Sequence, residues 1–93
     1  MECSQVTYSR HAVERMFQRG ISPETVSALL QSGDVIASYP DDKPYPSVLL
    51  LGFVQQQPVH AVVARDPVTG TCYVVTVYCP DPLLWESDFR KKI

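Results

Sequence analysis

The chain of 93 residues has no excess of basic charge: eight Lys and Arg stand against ten Asp and Glu, for a formal net charge of −2. Nucleic-acid binders draw much of their affinity from neutralising phosphates, so the global charge argues against a dedicated DNA or RNA binder and leaves open only a local basic patch. Long apolar runs are also missing. None approaches the ~20 residues that cross a bilayer, and the first residues carry no apolar core of an export signal, so a soluble protein without membrane contact is expected. Cysteine is scarce. Cys3, Cys72 and Cys79 are odd in number and form no C-x-x-C pair, which excludes a disulfide framework or zinc site as an expectation. Cys72 and Cys79 lie in or at the end of an apolar run and read as buried free thiols, which suits a reducing cytoplasm. There is no G-x-S-x-G, no Gly-rich phosphate loop and no H-E-x-x-H, so neither a metal nor a cofactor is expected.

What is present is a globular composition, with 45% apolar and 10% aromatic residues and enough chain for one domain spanning residues 1–93. Ser9 is suited to cap a helix over roughly Arg10 to Arg19, with Gly20 just past its end. Ala12, Val13, Met16 and Phe17 form its apolar face, while His11, Glu14, Arg15 and Gln18 lie opposite. Ser22-Pro23-Glu24 starts a second helix, with Val26, Leu29 and Leu30 as its stripe and Gly33 at its end. Strands follow over Asp34 to Tyr39, Val48 to Val54, Val59 to Arg65 and Thr71 to Tyr78. They are separated by a stiff polar loop at residues 40–46, a Gln55-Gln56-Gln57 turn and an Asp66–Gly70 turn. Short turns join antiparallel neighbours, so the fold class is α+β: two N-terminal helices packed on a four-stranded, mostly antiparallel, curved sheet.

The candidate chemistry rests on few residues. Pairing the last two strands through the 66–70 turn sets Arg65 near Thr71 and His60 roughly opposite Thr76. His60, Val62, Thr76 and Tyr78 then share one face, and Val63, Arg65, Tyr73 and Val75 the other. His60 has two readings: a proton-transfer group at the floor of a cleft, or a structural histidine bonded to Tyr78 or Thr76. His11 and Arg15 are i, i+4 neighbours with Arg19 a further turn along. They read either as an acid or base beside two phosphate-binding guanidiniums, or as a solvated face. Arg65 could form a turn salt bridge with Asp66 or touch a ligand. Arg90-Lys91-Lys92 reads as a frayed, solvated end. Leu84, Trp85 and Phe89 could close the core or dock a partner.

Several stretches resemble a family of small bacterial domains of unknown function that is placed in the RelE/ParE-like toxin superfamily. They are Ser9-Arg10-His11-Ala12, Glu14-Arg15-Met16, Arg19-Gly20-Ile21-Ser22, Gly33-Asp34-Val35-Ile36, Tyr39-Pro40-Asp41-Asp42, Pro58-Val59-His60-Ala61-Val62-Val63, Thr76-Val77-Tyr78, Pro80-Asp81-Pro82, Trp85 and Asp88-Phe89. The resemblance covers nearly the whole chain in order. It implies two helices against a curved antiparallel sheet and the toxin of a type II toxin–antitoxin pair, acting as a metal-independent endoribonuclease on messenger RNA. RNA or the ribosome and an antitoxin protein are then the expected partners. His60, His11 and Tyr78 become the catalytic candidates, with Arg15, Arg19, Arg65 and Thr76 binding substrate. Two other readings accompany it: a non-catalytic protein-interaction module of the same fold, and inhibition of a target such as a topoisomerase. Convergence of His11, Arg15, His60 and Arg65 on one concave surface would favour the enzyme.

Overall fold

In the computed structural model, which describes residues 1–93, the chain begins with a strand rather than a helix. β1 (Gln5–Tyr8) precedes α1 (Arg10–Arg19) and α2 (Pro23–Ser32), and four further strands follow: β2 (Asp34–Tyr39), β3 (Ser47–Val54), β4 (Gln57–Arg65) and β5 (Thr71–Tyr78). The class is α+β as expected, but the sheet has five strands in the order β1-β5-β4-β3-β2. β1 lies parallel to β5, with Val6 beside Cys72, and every other pairing is antiparallel. The sheet is therefore mixed. A parallel first strand is possible because the whole helical hairpin and meander form the crossover between β1 and β5. No helix is long and apolar enough to cross a membrane.

The helix boundaries follow their caps. Ser9 accepts a hydrogen bond from the Ala12 N–H, and Gly20, at φ 64°, occupies the left-handed position that closes α1. Ser22 caps α2, with Pro23 in its first turn. The apolar face of α1 is rotated from the expected one. Ala12 and Met16 are buried, whereas Val13 is 53% and Phe17 90% exposed. The core stripe thus centres on Ala12 and Met16, which brings the flank bearing His11, Arg15 and Arg19 towards the sheet edge.

The core lies between the helices and one sheet face, where Ala12, Met16, Val26, Leu29 and Leu30 meet Leu50, Ala61, Val63, Val74 and Val77. At Gly52 the α2–β3 approach is so close that a Cβ would sit 2.7 Å from Leu29 Cδ2. The opposite face is also covered. There Tyr45, from the 40–46 loop, stacks on Tyr73 with ring centroids 5.4 Å apart, and Trp85 covers His60. The end of the chain is held, not frayed. Trp85 bridges to Lys92, Arg90 pairs with Asp34 at 3.1 Å, and Ile93 N–H donates to the Leu84 carbonyl.

Two displacements change the β4–β5 register. Asp66 and Thr71 close the turn by an Asp66 N–H to Thr71 O bond of 2.9 Å, so Arg65 faces Cys72 rather than Thr71. A bulge then leaves Val75 without a partner between the Val63–Val74 and Val62–Thr76 pairs. His60 consequently faces Tyr78, and Thr76 faces Val62. His60, Val62, Thr76 and Tyr78 still share a face, but the extra residue moves Tyr73 onto it as well.

The cysteine expectation is overturned for two of the three. Cys3 and Cys72 form a disulfide with Cα atoms 5.5 Å apart, and only Cys79 is a free thiol. The physical reason is β1: its pairing with the start of β5 brings Cys3 to Cys72 across 69 residues of sequence. The free-thiol argument for a reducing compartment therefore applies to Cys79 alone.

Candidate functional site

β1 ends opposite Val74, so β5 residues 75–78 have no strand neighbour on that side. The start of α1 takes the vacant place. Ser9 N–H donates to the Val74 carbonyl at 3.0 Å, and Ser9 Oγ donates to the carbonyl of the bulged Val75 at 2.8 Å. The same hydroxyl caps the helix by accepting from Ala12 N–H. One side chain thus fixes the helix origin against the bulge. From there His11 reaches Thr76, the residue after the bulge, and His11 Nε2 and Thr76 Oγ1 share a 3.1 Å hydrogen bond.

A groove of about 350 Å³ runs along this open edge. One wall is the α1 row of His11, Arg15 and Arg19; the floor is Thr76, Tyr78 and Cys79; the other wall comes from the C-terminal segment, through Asp81, Leu84, Trp85 and Lys92. The ion pairs of the structure are Arg10–Glu14 and Arg90–Asp34, so Arg15, Arg19 and Lys92 have no carboxylate partner. The Asp81 carboxylate accepts from the Leu83 N–H. Three free cations against one carboxylate make the groove locally basic on an acidic chain.

Behind this wall lies His60, fully buried. Its Nε2 is 2.9 Å from the Phe89 carbonyl and its Nδ1 is 3.1 Å from the Tyr78 hydroxyl. A carbonyl only accepts, so Nε2 carries the proton and donates, and Nδ1 accepts from the tyrosine. The ring also meets Trp85 edge-on, with centroids 4.5 Å apart. Burial lowers the His60 pKa, opposed by the bond to Phe89, and burial raises that of Tyr78, helped by Tyr39. Both shifts keep the proton on the tyrosine and the imidazole neutral. No buried side-chain polar atom is left without a partner.

His11, Arg15, Arg19, Thr76 and Tyr78 are therefore brought together, with Tyr78 holding its hydroxyl against His60. His60 supports the wall but both its nitrogens are engaged. The expected convergence of His11, Arg15, His60 and Arg65 on one concave surface does not occur: His60 is sealed behind the groove, and Arg65 lies five residues along β4 from it, roughly 17 Å at strand spacing. Arg65 Nε donates to the Glu2 carbonyl at 2.8 Å, and Asp66 instead accepts from Val68 and Thr69. Residues that sequence reasoning left out of the site are Asp81 and Lys92. The available signal was the apolar trio Leu84, Trp85 and Phe89 just before the basic end, which is where a returning segment would anchor.

The fold and groove define a small α+β domain with a basic cleft at a sheet edge, in which no three His, Cys, Asp or Glu side chains cluster. The model of the domain of unknown function DUF4258 matches residues 8–79, and the chain belongs to that family. The matched span runs from the end of β1 through β5, so the segment that forms the second wall lies beyond it. No curated protein and no solved structure matches the chain.

Proposed function

We propose that the groove binds and cleaves RNA without a metal, as the toxin of a toxin–antitoxin pair related to RelE and ParE. The observation that carries this reading is the convergence of His11, Arg15, Arg19 and Thr76 on one concave edge, with neither guanidinium held in an ion pair. The helical hairpin packed on the antiparallel strands β2–β5 supports the architecture that the RelE/ParE resemblance implies, and the parallel β1 departs from it. The chemistry needs a group to take the proton from a ribose 2′-OH, one to return a proton to the leaving 5′-oxygen, and positive charge on the phosphorane. His11 is the one imidazole on the groove. It takes the 2′ proton as O2′ bonds to phosphorus, and returns it to O5′ as the P–O5′ bond breaks, leaving a 2′,3′-cyclic phosphate and a 5′-hydroxyl. Arg15 and Arg19 hold the non-bridging oxygens, and Thr76 orients the imidazole. His60, an acid or base under the resemblance, and Tyr78, its orienting partner there, are better suited to hold the wall.

The test is cleavage of a labelled single-stranded RNA in chelator, with analysis of the new ends, alongside inducible expression with and without the neighbouring gene. Cyclic phosphate ends and growth arrest relieved by the neighbour are expected. Intact RNA and unaffected growth would favour a non-catalytic interaction module. That second reading has its own support in Val13 and Phe17, which α1 leaves exposed.

A further inference from the structure

His11, Arg15 and Arg19 recur every fourth residue, so they form a row with steps of ~6 Å and a length of ~12 Å. A single phosphate would meet one or two members of such a row; a chain of phosphates can follow it. Across the groove stands Lys92, which belongs to the segment beyond the family-matched residues. Its position is defined by its surroundings. The Trp85–Lys92 bridge, the Glu86 N–H to Lys91 O bond of 2.8 Å and the Ile93 N–H to Leu84 O bond of 3.0 Å fix its backbone. Its ammonium lies 5.9 Å from the Trp85 ring centroid, over the face of the indole. Trp85 is in turn anchored on His60, and the Phe89 carbonyl accepts a hydrogen bond from His60 Nε2. The segment is thus strapped to the sheet by a fully buried contact, and the strap presents one unpaired cation to the groove. Because Trp85 is only 9% exposed and Lys92 lies over its ring, that indole is not free to stack on a base.

We infer that Lys92 is a phosphate-binding residue, and that the groove takes a single-stranded phosphodiester chain gripped by its backbone between the α1 row and the C-terminal strap. The inference rests on the RNA reading above and names a residue and a mode of grip that the reading does not require. Recognition of this kind follows charge and is indifferent to base identity.

The experiment measures binding of 2′-O-methyl oligoribonucleotides, which lack the attacking hydroxyl, by fluorescence anisotropy between about 50 and 200 mM salt. Wild-type protein is expected to bind U-rich and A-rich strands alike, with affinity falling steeply as salt rises. Adenosine monophosphate should not compete at equal phosphate concentration. Lys92→Ala should weaken binding roughly fivefold at the lower salt and reduce the slope of log affinity against log salt by about 0.7, the value for one single-strand phosphate contact. Lys92→Arg should restore both, and Lys91→Ala, one residue outside the groove lining, should leave both unchanged. Unaltered thermal unfolding of Lys92→Ala confirms that the strap stays docked.

A Lys92→Ala slope equal to that of wild type overturns the inference while leaving an RNA-binding α1 row intact. Strong preference for one base, or competition by the mononucleotide, overturns the backbone grip. Failure of wild-type protein to bind any oligonucleotide, or tighter binding of polyglutamate, overturns the inference together with the RNA reading beneath it.

Discussion

The two histidines of this chain occupy opposite kinds of place. His60 is sealed beneath Trp85, with a hydrogen bond at each ring nitrogen, and its neutral form is the one that burial favours. His11 stands on the exposed flank of α1, bonded at one nitrogen to Thr76 and open to the groove. A residue whose donors and acceptors are already spoken for can hold a structure together but has no valence left for a substrate. The contrast teaches that a histidine in the middle of a sheet and a histidine on a polar helix face can exchange the roles that sequence context suggests. Buried polarity here serves cohesion, and the edge is where an imidazole stays open to the groove.

The comparison is broken most directly at the groove. His11→Ala should lower RNA cleavage by about 10²–10⁴, the usual contribution of general acid–base catalysis, and leave the thermal unfolding midpoint almost unmoved. Equal cleavage by folded His11→Ala protein would remove the catalytic role. His60→Ala should do the reverse. It leaves a cavity and two unpaired polar groups, at a cost of about 3–4 kcal/mol, so calorimetry should show a midpoint roughly 15–20 °C lower. A small shift there would mean that the strap is held by something other than this contact.

The pH dependence of stability sharpens the distinction. The pKa of His60 is lowered on folding from its ordinary value of 6.5. The unfolded chain therefore binds more protons than the folded one once the pH falls below about 6.5, and stability rises with pH in that window. Stability attributable to His60 is complete above the unfolded pKa and declines as pH drops towards the folded one, by at most about 1.4 kcal/mol per pH unit. Chemical denaturation at pH 7 and pH 5 should show this slope, and His60→Gln should flatten it. The smallest effect is expected from Tyr78→Phe, which removes the bond to His60 Nδ1. It should cost about 1–2 kcal/mol in denaturant titrations while cleavage stays within a few-fold of wild type. A loss of cleavage comparable to that of His11→Ala would return Tyr78 to the catalytic group.

Much of the fold was legible because its signals are local. Ser9 and Gly20, Ser22 and Pro23, and the Asp66–Gly70 turn each satisfy or constrain the backbone beside them, so helices and strands fall where those residues put them. β1 carries no such signal. Gln5-Val6-Thr7-Tyr8 is short, largely exposed and paired with residues at the far end of the chain, and the Cys3–Cys72 bond was hidden with it. The rotation of α1 escaped notice because Val13 and Phe17 count as apolar in any periodicity, although neither is buried. Of the site, the His11–Arg15–Arg19 row and the His60–Tyr78 face could be read from spacing. Lys92 could not, since its position depends on Trp85 and Phe89 folding back onto a buried histidine.

The unpaired Val75 has a consequence for anyone wishing to move this groove into another protein. Upstream of it, β5 is in phase with β1 and the disulfide; downstream, it is in phase with His11 and His60. Val75 works as a phase shifter between two halves of one strand, with Ser9 as the pin that holds the offset. Ironing the bulge out, so that Val75 pairs with Val62 and every groove side chain is retained, would turn Thr76 and Tyr78 to the helix side of the sheet and put Val75 and Val77 in their place. A graft that copies the groove residues therefore has to copy the interruption too.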